Sequence, residues 1–256
     1  MKNKIIIYDD TCPMCKWYTE EFVNQGMLAA ENRLGFSQVS PEILQHIDID
    51  RSRHEIPLFD TETKETLYGP EALYCLLGEK MPFFKPLFNN GIFKGSIWQF
   101  YKIITYNRRI IAGSAAPKTG FDCAPNFHLF YRWLYIFLAF LGVSLIAKHV
   151  IIYTLAYKNI GLNAALIGIS ALIFSSIIMG FFLPKRISYW GHLATLLLAD
   201  NLLAGVVLGL GSFIGILPLG IWAAVLGGFC LFIGFLTWKR REALREIFVL
   251  GNILPA

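Results

Sequence analysis

The sequence predicts an α/β domain over residues 1–112, a linker over 113–127, and an all-α bundle of membrane-spanning helices over 128–256. Three observations lead there. Apolar residues fill 55% of the 256 positions and charged residues 16%, with a mean hydropathy of +0.51, too apolar for an average soluble domain. The charge is uneven: residues 1–126 hold fourteen Lys and Arg against fifteen Asp and Glu, a net of −1, whereas residues 127–256 hold nine against three, a net of +6. Short strand-like and helix-like runs alternate in the first half, while the second half carries apolar stretches of bilayer length.

These numbers exclude several classes. Disorder and coiled coil need more charge and less apolar surface. Five cysteines in 256 residues are too few for a disulfide-stapled scaffold. The basic excess belongs to the apolar half and reads as flanks of membrane helices, not as a nucleic-acid footprint.

Residues 4–8 are four apolar or aromatic positions after a lysine, a short buried strand rather than a secretory leader. Residues 13–30 form a helix with Trp17, Phe22, Val23 and Met27 roughly along one face. Residues 34–39 are a strand, and 41–47 a short helix opened by Ser40 as N-cap and Pro41 at the first helical position. Residues 56–59 are a strand, 61–65 a polar turn and 66–68 a returning strand. Residues 70–77 form a helix stopped by Gly78, and 83–88 and 97–111 two more helices near the membrane. The stretch 112–125, rich in Gly, Ala, Pro and Ser, marks the boundary.

The chemistry concentrates at Cys12-Pro13-Met14-Cys15. The two cysteines stand where a strand turns into a helix. A thiolate there is favoured by the helix dipole and by unpaired backbone N–H groups, so its pKa falls. On this reading Cys12 is the exposed attacking thiol, and Cys15, one turn deeper, resolves the mixed disulfide. Pro13 suits the first helical turn. The rival is half a zinc site, which needs a second Cys or His pair; Cys75, Cys123 and Cys230 lie far apart, and His46 and His54 offer no ligand spacing. No metal is expected.

Pro57, about 45 residues downstream, begins a short apolar strand. In a thioredoxin-type unit such a proline is often cis and faces the dithiol, and the exposed backbone of the preceding residue, here Ile56, pairs with a substrate strand. The alternative is a plain edge-strand proline.

Tyr8-Asp9-Asp10-Thr11-Cys12-Pro13-Met14-Cys15 resembles the Y-D-G-x-C-P-x-C signature of the DCC thiol-disulfide oxidoreductase family. The runs Tyr68-Gly69-Pro70-Glu71-Ala72-Leu73 and Phe100-Tyr101-Lys102 to Asn107-Arg108 are similar to later motifs of that family, in the same order. The resemblance covers about residues 4–112. It implies a thioredoxin-like fold of glutaredoxin-like order and thiol-disulfide exchange, with Asp9, Cys12 and Cys15 as defining residues. Asp10 departs from the signature's glycine. Asp tolerates a left-handed turn, and a second carboxylate beside the dithiol would oppose thiolate formation. Asp9 itself either relays a proton to the buried cysteine or caps the turn into the helix.

Four spans are expected in the second half, over about 131–147, 162–183, 192–213 and 217–238, with Tyr189, Trp190 and Trp238 at span ends. Residues 239–250 read as a basic amphipathic helix on the inner leaflet. Lys and Arg cluster before the first span, between the second and third, and after the fourth. Both termini are therefore expected on the cytoplasmic side of a membrane of bacterial inner-membrane type. Arg108 and Arg109 are candidates for recognising an anionic substrate, against the preferred reading, for residues near a membrane, that they contact lipid headgroups. Asp200 is acidic within a span and His192 lies eight positions earlier; they are candidates for a polar path, against the plainer reading that Asp200 bonds a neighbouring helix.

The expected function is exchange of disulfides through the Cys-Pro-Met-Cys dithiol at the cytoplasmic face. No cofactor is needed beyond the dithiol. The expected partners are protein or low-molecular-weight thiols and disulfides and the membrane lipid, with no nucleic acid. The alternative is a non-catalytic membrane scaffold or transporter-like component whose thioredoxin-like domain binds proteins.

Overall fold

A computed structural model describes residues 3–115, 125–156, 173–183, 185–214, 228, 231–232 and 234–249. It divides into two compact units, Met1–Tyr131 and Arg132–Ala256.

The first unit is mixed α/β. Its strands are β1 (Lys4–Tyr8), β2 (Arg33–Gly35), β3 (Pro57–Asp60) and β4 (Thr66–Tyr68), in the order β2-β1-β3-β4. β1 runs parallel to β2, with Ile7 opposite Leu34, and antiparallel to β3, with Ile5 opposite Phe59; β3 and β4 form an antiparallel pair, with Leu58 opposite Leu67. Alternation along β1 sends Ile6 and Tyr8 to one face and Ile7 to the other. Ile6 packs with Leu58, Ala72, Leu76 and the dithiol, while Ile7 packs with Val39 and Ile47. Each fully buried aliphatic side chain of this kind contributes about 1.5–3 kcal/mol.

The helices of this unit are α1 (Pro13–Asn24), α2 (Pro41–Leu44), α3 (Ile49–Ser52), α4 (Gly69–Lys80), α5 (Lys85–Asn89) and α6 (Gly91–Ala112). α1 stops six residues before the expected end. Gly26 takes φ +67°, its N–H donates to the Val23 carbonyl, and the N–H of Met27 donates to that of Phe22, a Schellman ending that only a left-handed residue permits. The strand expected over 34–39 is shorter, giving way to a 3₁₀ turn at Phe36–Gln38. Ser40 precedes α2, but its side chain makes no capping bond. α4 runs through Gly78 to Lys80, because the Met81 N–H still reaches the Leu77 carbonyl. α6 begins six residues earlier than expected, since Asn90 caps it by accepting from the N–H groups of Ile92 and Phe93, and it ends at left-handed Gly113.

In the described part of the second unit, α7 (Leu129–Ala156), which starts before the division, is followed by α8 (Arg186–Ile214) and α9 (Arg241–Val249). Among the described residues one helical stretch, Leu129–Lys148, is long and apolar enough to cross a membrane. Half of the span expected over 162–183 and most of that over 217–238 lie outside the described residues, as do Cys123, Cys230 and most of the expected linker.

Candidate dithiol site

β1 delivers the chain to the site and α1 receives it. Cys12 is the N-cap of α1, with φ −93° and ψ 113°, and Pro13 occupies the first turn. The Cys12 N–H donates to the Asp9 carbonyl at 3.2 Å, and the Cys12 carbonyl accepts the Lys16 N–H at 3.0 Å. The Cys12 sulfur accepts the backbone N–H of Cys15 at 3.4 Å, in the place where an N-cap serine or aspartate would put its oxygen. Both cysteines are free thiols.

This geometry separates the two sulfurs chemically. The Cys12 thiol is lowered to about 6, first by the hydrogen bond from the Cys15 thiol, then by the Cys15 N–H and the positive charge of Arg108, against the cost of burial and the Asp9 carboxylate. The Cys15 thiol is raised, because it is the donor to Cys12 and is itself buried. Cys12 is thus the sulfur held as thiolate, and Cys15 the one that keeps its proton.

Asp9 organises the turn. Its Oδ1 accepts the Thr11 N–H at 2.9 Å and the Thr11 hydroxyl at 2.6 Å. Its Oδ2 accepts from Nη2 of Arg108 at 2.7 Å in a buried ion pair. Nη1 of the same guanidinium reaches the Cys15 sulfur at 3.9 Å. Arg108 therefore belongs to the dithiol site rather than to lipid headgroups. The correction has a physical cause: α6 is long enough to bring residues 101, 104, 105 and 108, one helical face, over the start of α1.

Asp10 departs from expectation too. Among the described residues the only non-glycine with positive φ is Lys64, so Asp10 needs no left-handed turn. Its carboxylate accepts the N–H of Ser37 at 3.1 Å and also the Ser37 hydroxyl. It tethers the end of β1 to the turn after β2, and the carboxylate acting on Cys12 is that of Asp9.

Cys12 is not the exposed thiol. Both sulfur-bearing residues are 4% exposed. A cavity of about 320 Å³ instead meets Cys15, Arg108, Tyr101, His54, Ile56 and Pro57 among its lining residues, with Trp17, itself exposed, also on its wall. The Ile56–Pro57 peptide is trans. Pro57 is fully buried and opens β3 opposite Tyr68. Nor is the Ile56 backbone open to a substrate strand. Its N–H donates to the Tyr101 hydroxyl at 3.0 Å, and its carbonyl accepts the Gly69 N–H at 2.9 Å.

The sequence reading missed Tyr101, Tyr18 and His54. Burial lifts the Tyr101 phenol to about 12 and lifts that of Tyr18 as well, so both stay neutral. Burial lowers the pKa of His54, whose Nδ1 has no hydrogen-bond partner among the described residues. The only trace of this set in the sequence was the run from Phe100 to Arg108. Cys75 stands apart, accepting from Lys4 Nζ at 3.0 Å. Among the described residues no three His, Cys, Asp or Glu side chains converge as a metal site.

His192 and Asp200 lie on α8 in the second unit. His192 is buried and Asp200 half-buried. Asp200 makes no hydrogen bond or ion pair among the described residues, so neither the polar path nor the helix-bonding reading finds a contact there, while neighbouring Asn201 donates to the Leu197 carbonyl at 2.9 Å.

Compared with protein-family models, with curated proteins and with solved structures, the chain gives no match.

Proposed function

We propose that the chain is a membrane-anchored thiol-disulfide oxidoreductase whose first unit is a thioredoxin-like domain working at the cytoplasmic face. The observation that carries the reading is the Cys15 N–H on the Cys12 sulfur, which makes that sulfur the cap of α1. The mixed sheet order, the dithiol between β1 and α1, and a proline opening β3 support the fold assignment. The apolar stretch Leu129–Lys148, with Phe130, Phe137, Leu141 and Leu145 exposed along it, supports the anchor.

The reaction runs in two exchanges. The Cys12 thiolate attacks one sulfur of a substrate disulfide, forms a mixed disulfide and expels the other sulfur as thiolate. Cys15 then gives its proton to a departing thiolate and attacks the Cys12 sulfur, closing the Cys12–Cys15 disulfide and releasing the second substrate sulfur. The substrate gains two electrons and the dithiol loses two. A cytoplasmic thiol of low molecular weight restores the dithiol by the reverse exchange. Arg108 stabilises negative charge on either sulfur, and Asp9 holds Arg108 in place.

The near-complete cover over both sulfurs favours a second reading, a scaffold that binds proteins without turnover. Single-turnover reduction of bis(2-hydroxyethyl) disulfide by the full chain in detergent separates the two. Oxidoreductase activity predicts release of thiol, its loss in Cys12→Ser, and a trapped mixed disulfide in Cys15→Ser. No thiol release from the unaltered chain, with either this probe or oxidised glutathione, leaves the scaffold.

A further inference from the structure

The charge of the first unit is divided along the chain. Residues 1–79, which carry the whole sheet and α1 to α3, hold seven Lys and Arg against fourteen Asp and Glu, a net of −7. Residues 80–112 hold six basic residues and no acidic one. Arg108 is paired with Asp9 at the dithiol, but Lys80, Lys85 and Lys94 are exposed and Lys102 is half-buried. None of these four lysines makes an ion pair among the described residues.

α6 presents two faces. Tyr101, Thr105 and Arg108 share the side that lines the cavity at Cys15. At about 100° per residue, Ile92, Phe100, Ile103 and Asn107 fall within about 80° of one another on the outer side. Ile92 and Phe100 are 84% and 58% exposed there, and Phe83, in the 3₁₀ turn before α5, is 71% exposed. Trp98 is half-buried on the flank, with the Lys102 ammonium 5.3 Å from its ring centroid. Near the C-terminal end of α6, the Asn107 amide donates to the Tyr131 carbonyl at 3.0 Å. The adjacent Tyr106 ring stacks on that of Tyr131, with centroids 4.7 Å apart.

Tyr131 is the third residue of the apolar stretch Leu129–Lys148. The outer face of α6 is thus bonded to the chain where that stretch begins. Large apolar side chains held in water are unfavourable, and the headgroup boundary of a bilayer removes that cost. Lysine ammoniums are drawn to anionic headgroups, which their apolar stems reach from beside buried rings. A purely acidic partner would answer the lysines alone; exposed isoleucine and phenylalanine among lysines match a surface that is anionic outside and apolar beneath.

We propose that the outer face of α6, with the turn at Phe83 and the lysines around it, docks the first unit on an anionic membrane surface. Ile92 and Phe100 enter the headgroup boundary, and Lys85 and Lys94 hold anionic headgroups. The acidic remainder of the unit is repelled by the same surface, which orients the unit upon it. The nearness of this face to a bilayer rests on reading Leu129–Lys148 as an anchor; its charge and its exposure do not, and neither depends on the redox reading.

The test places the full chain in vesicles of phosphatidylcholine, with or without phosphatidylglycerol. An environment-sensitive fluorescent amino acid replaces Ser96, which is exposed between Ile92 and Phe100, and a lipid carrying a shallow nitroxide is the quencher. Docking predicts quenching about twofold or more stronger with phosphatidylglycerol, a difference that high salt removes. I92E/F100E should abolish the quenching, and K85E/K94E should reduce it to the phosphatidylcholine level. Circular dichroism checks the fold, and should I92E/F100E fail to fold, K85E/K94E carries the test by itself. Equal quenching in the two kinds of vesicle overturns the proposal, as does quenching unchanged in the variants. No quenching in either also overturns it and leaves the face to a protein partner. Carbonate extraction of the same vesicles reports on the anchor: release of the chain refutes the anchor, whereas a retained chain without quenching refutes the docking alone.

Discussion

The Tyr101 hydroxyl accepts the N–H of Ile56 at 3.0 Å across 45 residues of sequence. If the first unit works as proposed, with a substrate strand pairing at Ile56, the Tyr101 hydroxyl would occupy the place of that strand's carbonyl, and α6 would shield the dithiol.

Replacing Tyr101 with Phe removes that acceptor and leaves the Ile56 donor open. Stability should fall by about 1–3 kcal/mol, the cost of an unpaired buried donor. The rate with a peptide disulfide, relative to a small disulfide, should rise by about 2- to 10-fold, the equivalent of one hydrogen bond. Parallel single-turnover assays measure the ratio. An unchanged ratio would mean that Tyr101 does not guard the strand-pairing edge.

Asp9 and Arg108 should behave as one unit. Arg108→Gln leaves a buried carboxylate uncompensated and should cost about 3–5 kcal/mol, as broken buried pairs do. It should also raise the pH at which Cys12 ionises, whereas Asp9→Asn should lower it, because Arg108 and Asp9 act on the thiolate with opposite sign. The double variant should be less destabilised than the sum of the singles. Alkylation rate against pH, with urea unfolding of the four proteins, gives both answers.

The pH dependence of the reduced form has a fixed sign. The Cys12 pKa is depressed in the fold to about 6, so its contribution to stability is complete above the ordinary thiol range and is lost as pH falls through about 6. Cys15 acts oppositely: its raised pKa removes stability once an unfolded thiol would ionise. Stability should therefore climb from pH 6 toward the ordinary thiol range and then turn over. Cys12→Ser should remove the climb and Cys15→Ser the turnover through Cys15. Urea midpoints across that range decide it.

Gly26 stands at φ +67°, where a side chain is strained. Gly26→Ala should cost about 1–2 kcal/mol through the left-handed backbone alone. Its nearest neighbour, Lys80 Nζ at 3.9 Å, leaves room for a methyl group. Circular dichroism should show a lower Tm with unchanged helix content.

Leu141 lies exposed on the apolar stretch of α7. Leu141→Arg should oppose insertion by about 3 kcal/mol if lipid faces that position. Carbonate extraction of membranes should then release a larger share of the chain than it does for Leu141→Ile. Equal extraction of the two variants would count against the anchor.

What the sequence alone determined was local. The dithiol at a strand-to-helix turn was legible because Cys12, Pro13 and Cys15 are neighbours, and cap geometry depends on three consecutive residues. The strands at 4–8 and 66–68 and, shifted by one residue from the expected 56–59, that at 57–60 showed in short apolar runs bounded by turn residues. The end of α1 was legible in principle at Gly26, whose signal was overridden by the apolar spacing that runs on to Met27.

The tertiary structure decided everything that joins distant segments. Asp9 and Arg108 are 99 residues apart, and no periodicity in either neighbourhood announces that a carboxylate in a turn will meet a guanidinium on α6. The same holds for Tyr101 on Ile56. Local pattern sets which face of each helix is apolar, but which helix covers which turn follows from packing the whole chain at once. That packing turned an arginine expected at the membrane surface into part of the dithiol site, and an expected open edge into a closed one.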